Sequence, residues 1–451
     1  MKKSLAAVFC GIVGLGLQQA HAQKCGTDLI TEKLIAQRPE AKEAFLRYQE
    51  EIKERAEKFE AQMANSSNKT TGKYTIPLVF HVILRQSQID SIGGIQGIYN
   101  RIASQVAVLN TDFNAENADS STIPAVFKPL FGKAEISFGL AHKKPDGTAT
   151  TGVEIKVAGS SYNGYDFGSA FLVSTAGGGL DAWDNKKYLN IWITDITNGN
   201  QPGQILGYAI SPSFGKNVLQ NEQAIGVVID FLAFGKRNPS SIQIFTPKAD
   251  NGRTMVHEIG HFFTLNHIWG NTAVGSGVCS DDDGVADTPP QQDANQSTCP
   301  TYPKANCTNS PGGEMFMNFM DYVHDDCMRM FTKGQVARMQ SEFTPTGGSY
   351  QLQFNVAAMS YPTDVVSLEP ENTFDLVPNP TSGIFTVSFS DVNTKLKGIS
   401  VVNMVGQTVK QITSGLQNQG FSVDLTGMQK GIYMVQCHFE TGTVTRKIVL
   451  Q

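Results

Sequence analysis

The chain has 451 residues, of which 40% are hydrophobic and 17% charged, with a net charge of −5. That length exceeds one ordinary domain, and the composition is that of a globular protein rather than a disordered or fibrous one. The mild negative charge gives no ground for nucleic acid or an anionic membrane as partner, and beyond the N-terminus no apolar run reaches the ~18 residues that would suggest a transmembrane helix.

At the start, Lys2 and Lys3 precede a short apolar run over 5–17, and Ala20-His21-Ala22 puts small residues where a signal peptidase reads them. A signal peptide over 1–22 is expected, leaving Gln23 as the new N-terminus. Cys10 lies mid-run behind Phe9, which argues against a lipid attachment site. Residues 23–73 are charged and helix-prone, with Glu43, Arg47, Glu50, Glu51, Lys53, Glu54 and Arg55 close together, and they end in the polar stretch 65–72. This composition reads as a helical pro-segment with a cleavable linker, against the alternative of a plain N-terminal arm.

A main domain is expected over 74–345. It opens with Ile76, Leu78, Val79, Phe80, Val82, Ile83 and Leu84, the pattern of a strand buried on both faces. A helix is expected over 95–109, and strand-like runs recur at 134–140, 188–194 and 224–231. Strands alternating with helices predict an α/β sheet, with a helix over 254–265 laid against it.

That helix carries His257-Glu258-Ile259-Gly260-His261, followed six residues later by His267. Residues four apart share a helix face, so His257 and His261 can grip one metal ion, with His267 as a third ligand beyond the helix. Three protein ligands leave tetrahedral zinc one open position, the arrangement of a catalytic rather than a structural site. Glu258 is placed to act as general base. The alternative is a helix whose histidines are satisfied by ordinary packing.

Export permits disulfides, and Cys279, Cys299, Cys307 and Cys327 cluster after this motif at spacings of 20, 8 and 20. Spacing alone leaves all three pairings open, and no C-x-x-C pair suggests a structural metal. The run Asp281-Asp282-Asp283-Gly284-Val285-Ala286-Asp287-Thr288-Pro289 is rich in oxygen donors, as a calcium loop is, or else it is a solvated acidic loop. Asn318-Phe319-Met320-Asp321-Tyr322 taken alone is a buried turn in which Met320 is core packing.

After a linker over 346–370, residues 371–451 change character. Short alternating strands at 384–389, 398–403, 433–439 and 443–450, separated by turns rich in Gly, Asn and Pro, predict a small all-β sandwich. It contains no metal-ligand cluster and no nucleophile with a partner base, so it reads as a binding or sorting module.

Taken together, the run from Met255 to Phe263, Asn318-Phe319-Met320-Asp321-Tyr322 and the run from Cys327 to Gln335 resemble the pappalysin family of the metzincin zinc peptidases. The resemblance covers roughly residues 74–343. It implies an α/β (α+β) catalytic domain with a twisted mixed sheet and an active-site helix. It assigns His257, His261 and His267 to zinc, Glu258 to general base, Met320 to a cushion beneath the metal, and Tyr322 to stabilising the tetrahedral intermediate. It implies Cys279–Cys307 and Cys299–Cys327 disulfides, and calcium on Asp283, the carbonyl of Ala286 and Thr288. Asp326 is placed at the base of the pocket for the residue after the scissile bond, where a buried carboxylate would favour Arg or Lys. Cys25-Gly26-Thr27 looks like a cysteine switch that occupies zinc in the latent form. One departure stands out: Thr264 occupies the position where the clan usually has glycine.

The run from Leu376 to Gly383, then Gly431-Ile432-Tyr433 and Thr445-Arg446-Lys447-Ile448-Val449, resemble a type IX secretion sorting domain. This implies engagement of that machinery, passage through a Bacteroidetes-type outer membrane, and a released or surface-anchored product. The expected function is a secreted zinc endopeptidase acting on protein and peptide substrates, made as a zymogen. The alternative is a secreted binding protein or adhesin with a structural metal site. Cys437 finds no role in the sequence.

Overall fold

The computed structural model describes residues 23–38, 40–65, 73–159, 161–199, 201–239, 243–296, 298–305, 307–308, 312–359, 374–389, 396–403, 407–413, 421–439 and 442–451. The expected signal peptide, the polar stretch 66–72 and linker residues 360–373 lie outside them. The chain divides into two compact units, Met1–Ser360 and Tyr361–Gln451.

Shorter elements aside, the first unit runs β1 (Gln23–Cys25), α1 (Thr27–Ala36), α2 (Ala41–Asn65), β2 (Tyr74–Arg85), α3 (Gly94–Phe113), β3 (Ile136–Leu140), β4 (Val153–Ala158), β5 (Leu189–Thr194), β6 (Ile205–Ile210), α4 (Pro212–Asn217), β7 (Gly226–Asp230), α5 (Arg253–Phe262) and α6 (Lys333–Ser341). Its sheet has the order β1-β6-β7-β5-β2-β3, with β4 also on β2. Every pairing is parallel except β6 with β7. Strands covered on both faces need apolar residues at nearly every position, which is why β5, β6 and β7 are buried along their whole length. Helix α3 packs on β3 and α5, and α5 lies on β6 and β7, so the histidine helix is backed by the sheet. This is a mixed α/β domain.

Three features differ from the sequence expectations. Helix α5 stops at Phe262 because Thr264 takes a left-handed φ of 69°, which ends the helix and turns the chain toward His267. Strand β6 has no clean signal, since Gly207 breaks its apolar run, yet it is the strand that borders the site. Residues 346–359, expected as the head of a linker, pack on this unit instead: Leu352 and Ala358 are buried and the Ala358 carbonyl accepts from the N–H groups of His142 and Lys143.

The N-terminal segment is an integral part of this packing. β1 adds a parallel strand to the edge at β6, and Ile30 of α1 is fully buried. From α2, Tyr48 and Ile52 enter the core, Tyr48 hydrogen-bonds Ser211 at 2.9 Å, and Arg55 forms an ion pair with the fully buried Glu342.

The second unit contains β8 (Phe374–Val377), β9 (Ile384–Phe389), β10 (Leu396–Asn403), β11 (Thr408–Ile412), β12 (Phe421–Asp424), β13 (Gly431–Phe439) and β14 (Gly442–Leu450). They form antiparallel sheets β8-β9-β12 and β11-β10-β13-β14. One apolar core joins Phe374, Phe385 and Val387 of the first sheet to Ile399, Val435 and Ile448 of the second, as in a sandwich. Cys437 lies in that core, where burial pushes its thiol up to about 12, so it serves as a small inert hydrophobe.

Candidate metal centre

Helix α5 places His257 and His261 one turn apart on its buried face, and the turn after Thr264 returns His267 beside them. The three Nε2 atoms lie 3.0–3.3 Å from one another. Each Nδ1 is engaged elsewhere at 2.7 Å: His257 with the Phe319 carbonyl, His261 with the Leu265 carbonyl, His267 with the Asp28 carboxylate. Carbonyl and carboxylate oxygens only accept, so each Nδ1 carries the proton and each Nε2 presents a lone pair. Burial, with His267 alongside, pushes the His261 imidazole down to about 3, so it stays neutral. Three buried lone pairs facing one point repel unless a cation gathers them. The donor set therefore fits zinc, which takes neutral imidazole.

Cys25 Sγ completes the group: its sulfur and the three imidazole donors lie within 4.8 Å of one another, all buried. Register delivers it, because Cys25 pairs with Gly207 and the Gly26 N–H donates to the Gly207 carbonyl at 2.8 Å. The same segment covers the neighbouring groups. Thr27 Oγ1 donates to Glu258 Oε2 at 3.1 Å and Cys25 Sγ lies 3.5 Å from the same oxygen. The Tyr322 hydroxyl donates to the Cys25 carbonyl at 3.1 Å. Burial, with the carboxylates of Glu258 and Asp28 close by, pushes the Cys25 thiol well above its ordinary value.

Several contributors were invisible in the sequence. Gly207 leaves room for Glu258, since a Cβ there would stand 2.8 Å from Glu258 Cγ. A Cβ at Gly260 would stand 2.6 Å from Met320 Sδ, so the glycine within the motif admits the buried methionine against the helix. Trp269 stacks on His267 with ring centroids 4.4 Å apart. Thr27 and Asp28 had no signal beyond lying next to Cys25. Asp321 binds Gln291, the Asn295 N–H and the Tyr322 N–H, anchoring the methionine turn to the cysteine-rich loop.

Thr264 keeps its strained turn through two contacts: its carbonyl accepts from Arg338 Nε at 2.8 Å, and its hydroxyl reaches Glu342 at 3.4 Å. Disulfides join Cys279 to Cys307 and Cys299 to Cys327. In the acidic loop, Asp283 is fully buried and accepts from Thr288 Oγ1 at 2.6 Å, while its Oδ2 and the Oδ1 of Asp287 are buried without a hydrogen bond. Ala286 is exposed. Asp326 differs from expectation: its side chain is 50% exposed and pairs with Lys248 at 3.3 Å, and it is Asp325 that is buried. Asp325 Oδ2 accepts the N–H groups of Asn251 and Arg253 at the start of α5, a structural task.

The fold and this site match known proteins. Residues 179–344 match the peptidase family described as pregnancy-associated plasma protein-A, and residues 375–451 match the secretion system C-terminal sorting domain. A solved promirolysin variant from Tannerella forsythia is 34% identical, with a TM-score of 0.60 over 74% of this chain and 97% of that one. Mature mirolysin of the same organism, in complex with a cleaved peptide, is 36% identical, with a TM-score of 0.56 over 65% of this chain and 99% of that one. An extracellular metalloprotease of Pyricularia oryzae is 39% identical over 142 residues, 32% of this chain and 44% of that protein. The chain thus spans less than half of the length of the curated relatives it matches. The chain belongs to the pregnancy-associated plasma protein-A peptidase family, the pappalysins, and carries a secretion-system sorting domain at its C-terminus.

Proposed function

We propose that the chain is the precursor of a secreted zinc endopeptidase. The observation that carries this is the convergence of three Nε2 lone pairs on one point beside Glu258. His257, His261 and His267 would hold the ion. Bound there, zinc supplies Lewis acidity that acidifies water and polarises a peptide carbonyl. Glu258 takes the proton of the attacking water and delivers it to the departing amine as the C–N bond breaks. Tyr322, once free of the Cys25 carbonyl, donates its hydroxyl to the developing oxyanion. Met320 packs beneath the histidines as a passive support.

On this reading residues 1–22 are the signal peptide, 23–73 the pro-segment, 74–345 the catalytic domain, 346–370 a linker whose first half docks on that domain, and 371–451 the sorting domain. Cys25 is the zinc-binding thiolate of the latent form. A closed set of three histidines and a cysteine is also what a structural site in a surface binding protein would show. The placement of Cys25 on a separate edge strand, touching Glu258, favours latency. Cys25→Ala is expected to give a precursor that processes itself or cleaves substrate without activation. A mutant that stays latent would remove the switch.

The partnerless buried oxygens of Asp283 and Asp287 support calcium in the acidic loop, with the Ala286 carbonyl and Thr288. Asp326 would select Arg or Lys after the scissile bond, although its exposure and its pairing with Lys248 make that preference modest and salt-sensitive. Sequencing the new termini in a digest tests it: no excess of basic residues on the C-terminal side would withdraw the role of Asp326. The sorting tail and the extracellular relatives support delivery to the cell surface through type IX machinery. Cleavage of an unfolded protein that a chelator abolishes and zinc restores tests the function as a whole.

A further inference from the structure

Two of the three histidines keep their Nδ1 partners wherever the N-terminal segment goes, since Phe319 and Leu265 offer backbone carbonyls from the catalytic unit. The third does not. The partner of His267 Nδ1 among the described residues is Asp28, from the first turn of α1, at 2.7 Å. We propose that Asp28 makes the N-terminal segment a metal-loading device: its carboxylate orients His267 in the precursor, which binds zinc more tightly than the enzyme left when the segment departs. The inference rests on the zinc and pro-segment readings above and goes beyond latency.

The carboxylate is held for this task. The Gly26 N–H bonds the Gly207 carbonyl just before Asp28, Ile30 two residues on is fully buried, and Lys33 donates to the Phe167 carbonyl at 2.9 Å. Asp28 stands within this clamp, and its side chain is 33% exposed, so water can take its place once α1 leaves. A carboxylate behind a zinc-bound histidine fixes the tautomer and raises the basicity of the ligand, and losing such a partner typically weakens metal binding about 10–100-fold. Asp28 also adds one negative charge to those of a Cys25 thiolate and Glu258 around the point where a divalent cation would sit, and that addition is lost when the segment departs. Asp28 is a positioning residue, separate from the thiol that closes the site.

The test uses the full chain carrying Glu258→Ala, which stops self-cleavage, and Cys25→Ala, which removes the thiol. Zinc affinity is read by competition with a chromophoric chelator. Adding Asp28→Ala is expected to raise the Kd about 10–100-fold, and Asp28→Asn by less, since an amide oxygen still accepts the Nδ1 proton. Ile30→Ala, which loosens the same helix but keeps the carboxylate, is expected to shift the Kd less than Asp28→Ala. Equal affinity with and without Asp28, or an equal shift from Ile30→Ala, would overturn the proposal while leaving the zinc site intact. No zinc binding in any variant would overturn it together with the peptidase reading.

Discussion

Thr264 shows how a single residue can hold a strained turn between two clustered histidines, His261 and His267. A side chain at a left-handed φ costs roughly 1–2 kcal/mol, and a β-branched one has least room to relax. Here the Arg338 guanidinium and the Glu342 carboxylate hold it. Thr264→Gly relieves the strain, while Thr264→Ala keeps it and loses the hydroxyl. The glycine variant is therefore predicted to be more stable than the alanine variant by about 1 kcal/mol in urea unfolding. The reverse order would place the cost elsewhere than the backbone. Gly207 makes the complementary case. A methyl group there pushes on Glu258 Cγ from 2.8 Å, and a displacement of the base by a fraction of an ångström should lower cleavage by up to about 100-fold with zinc content unchanged. Full activity in Gly207→Ala would show that Glu258 has room to move.

Elements were legible to the degree that their signals were local. The spacing within α5 put His257 and His261 on one face, and the apolar run of β2 declared an interior strand, because both follow from periodicities of a few residues. Strand β6, the edge pairing of β1 and the reach of Asp28 to His267 depend on register between segments about 180 and 240 positions apart, which no window of sequence contains. Asp326 differs for the same reason, since its half-exposed carboxylate pairs with Lys248, 78 positions away. At the end of β7, burial pushes the Asp230 carboxyl up to about 7, with Asp195 adding to it, although the N–H groups of Leu232 and Ile196 favour its charged form. The folded pKa lies above the ordinary value of 3.8, so this group's contribution is full below about pH 4 and is lost as pH rises through about 7. Relative to Asp230→Asn, the wild type should lose stability between about pH 4 and 7, by an amount on the order of a few kcal/mol, and change little above that. Parallel pH profiles for the two proteins would show that Asp230 titrates as an ordinary carboxyl.

At the scale of the molecule, the peptidase-family match at 179–344 and the sorting domain at 375–451 lie in the first and second compact units respectively. The C-terminal unit carries the sorting signal and packs its own core, Cys437 included. The N-terminal segment reaches the histidine cluster with Cys25, Glu258 with Thr27, the Tyr322 hydroxyl with the Cys25 carbonyl and His267 with Asp28. Removing it exposes all of these groups at once. On the proposed reading, Glu258 acts as a base beside zinc held by the three histidines. This is tested most directly by comparing activated wild type with Glu258→Ala, each assayed for bound zinc and for cleavage of an unfolded protein. Equal zinc content with at least a ~10²-fold loss of cleavage in the mutant is the predicted result. Undiminished cleavage by zinc-loaded Glu258→Ala would contradict it.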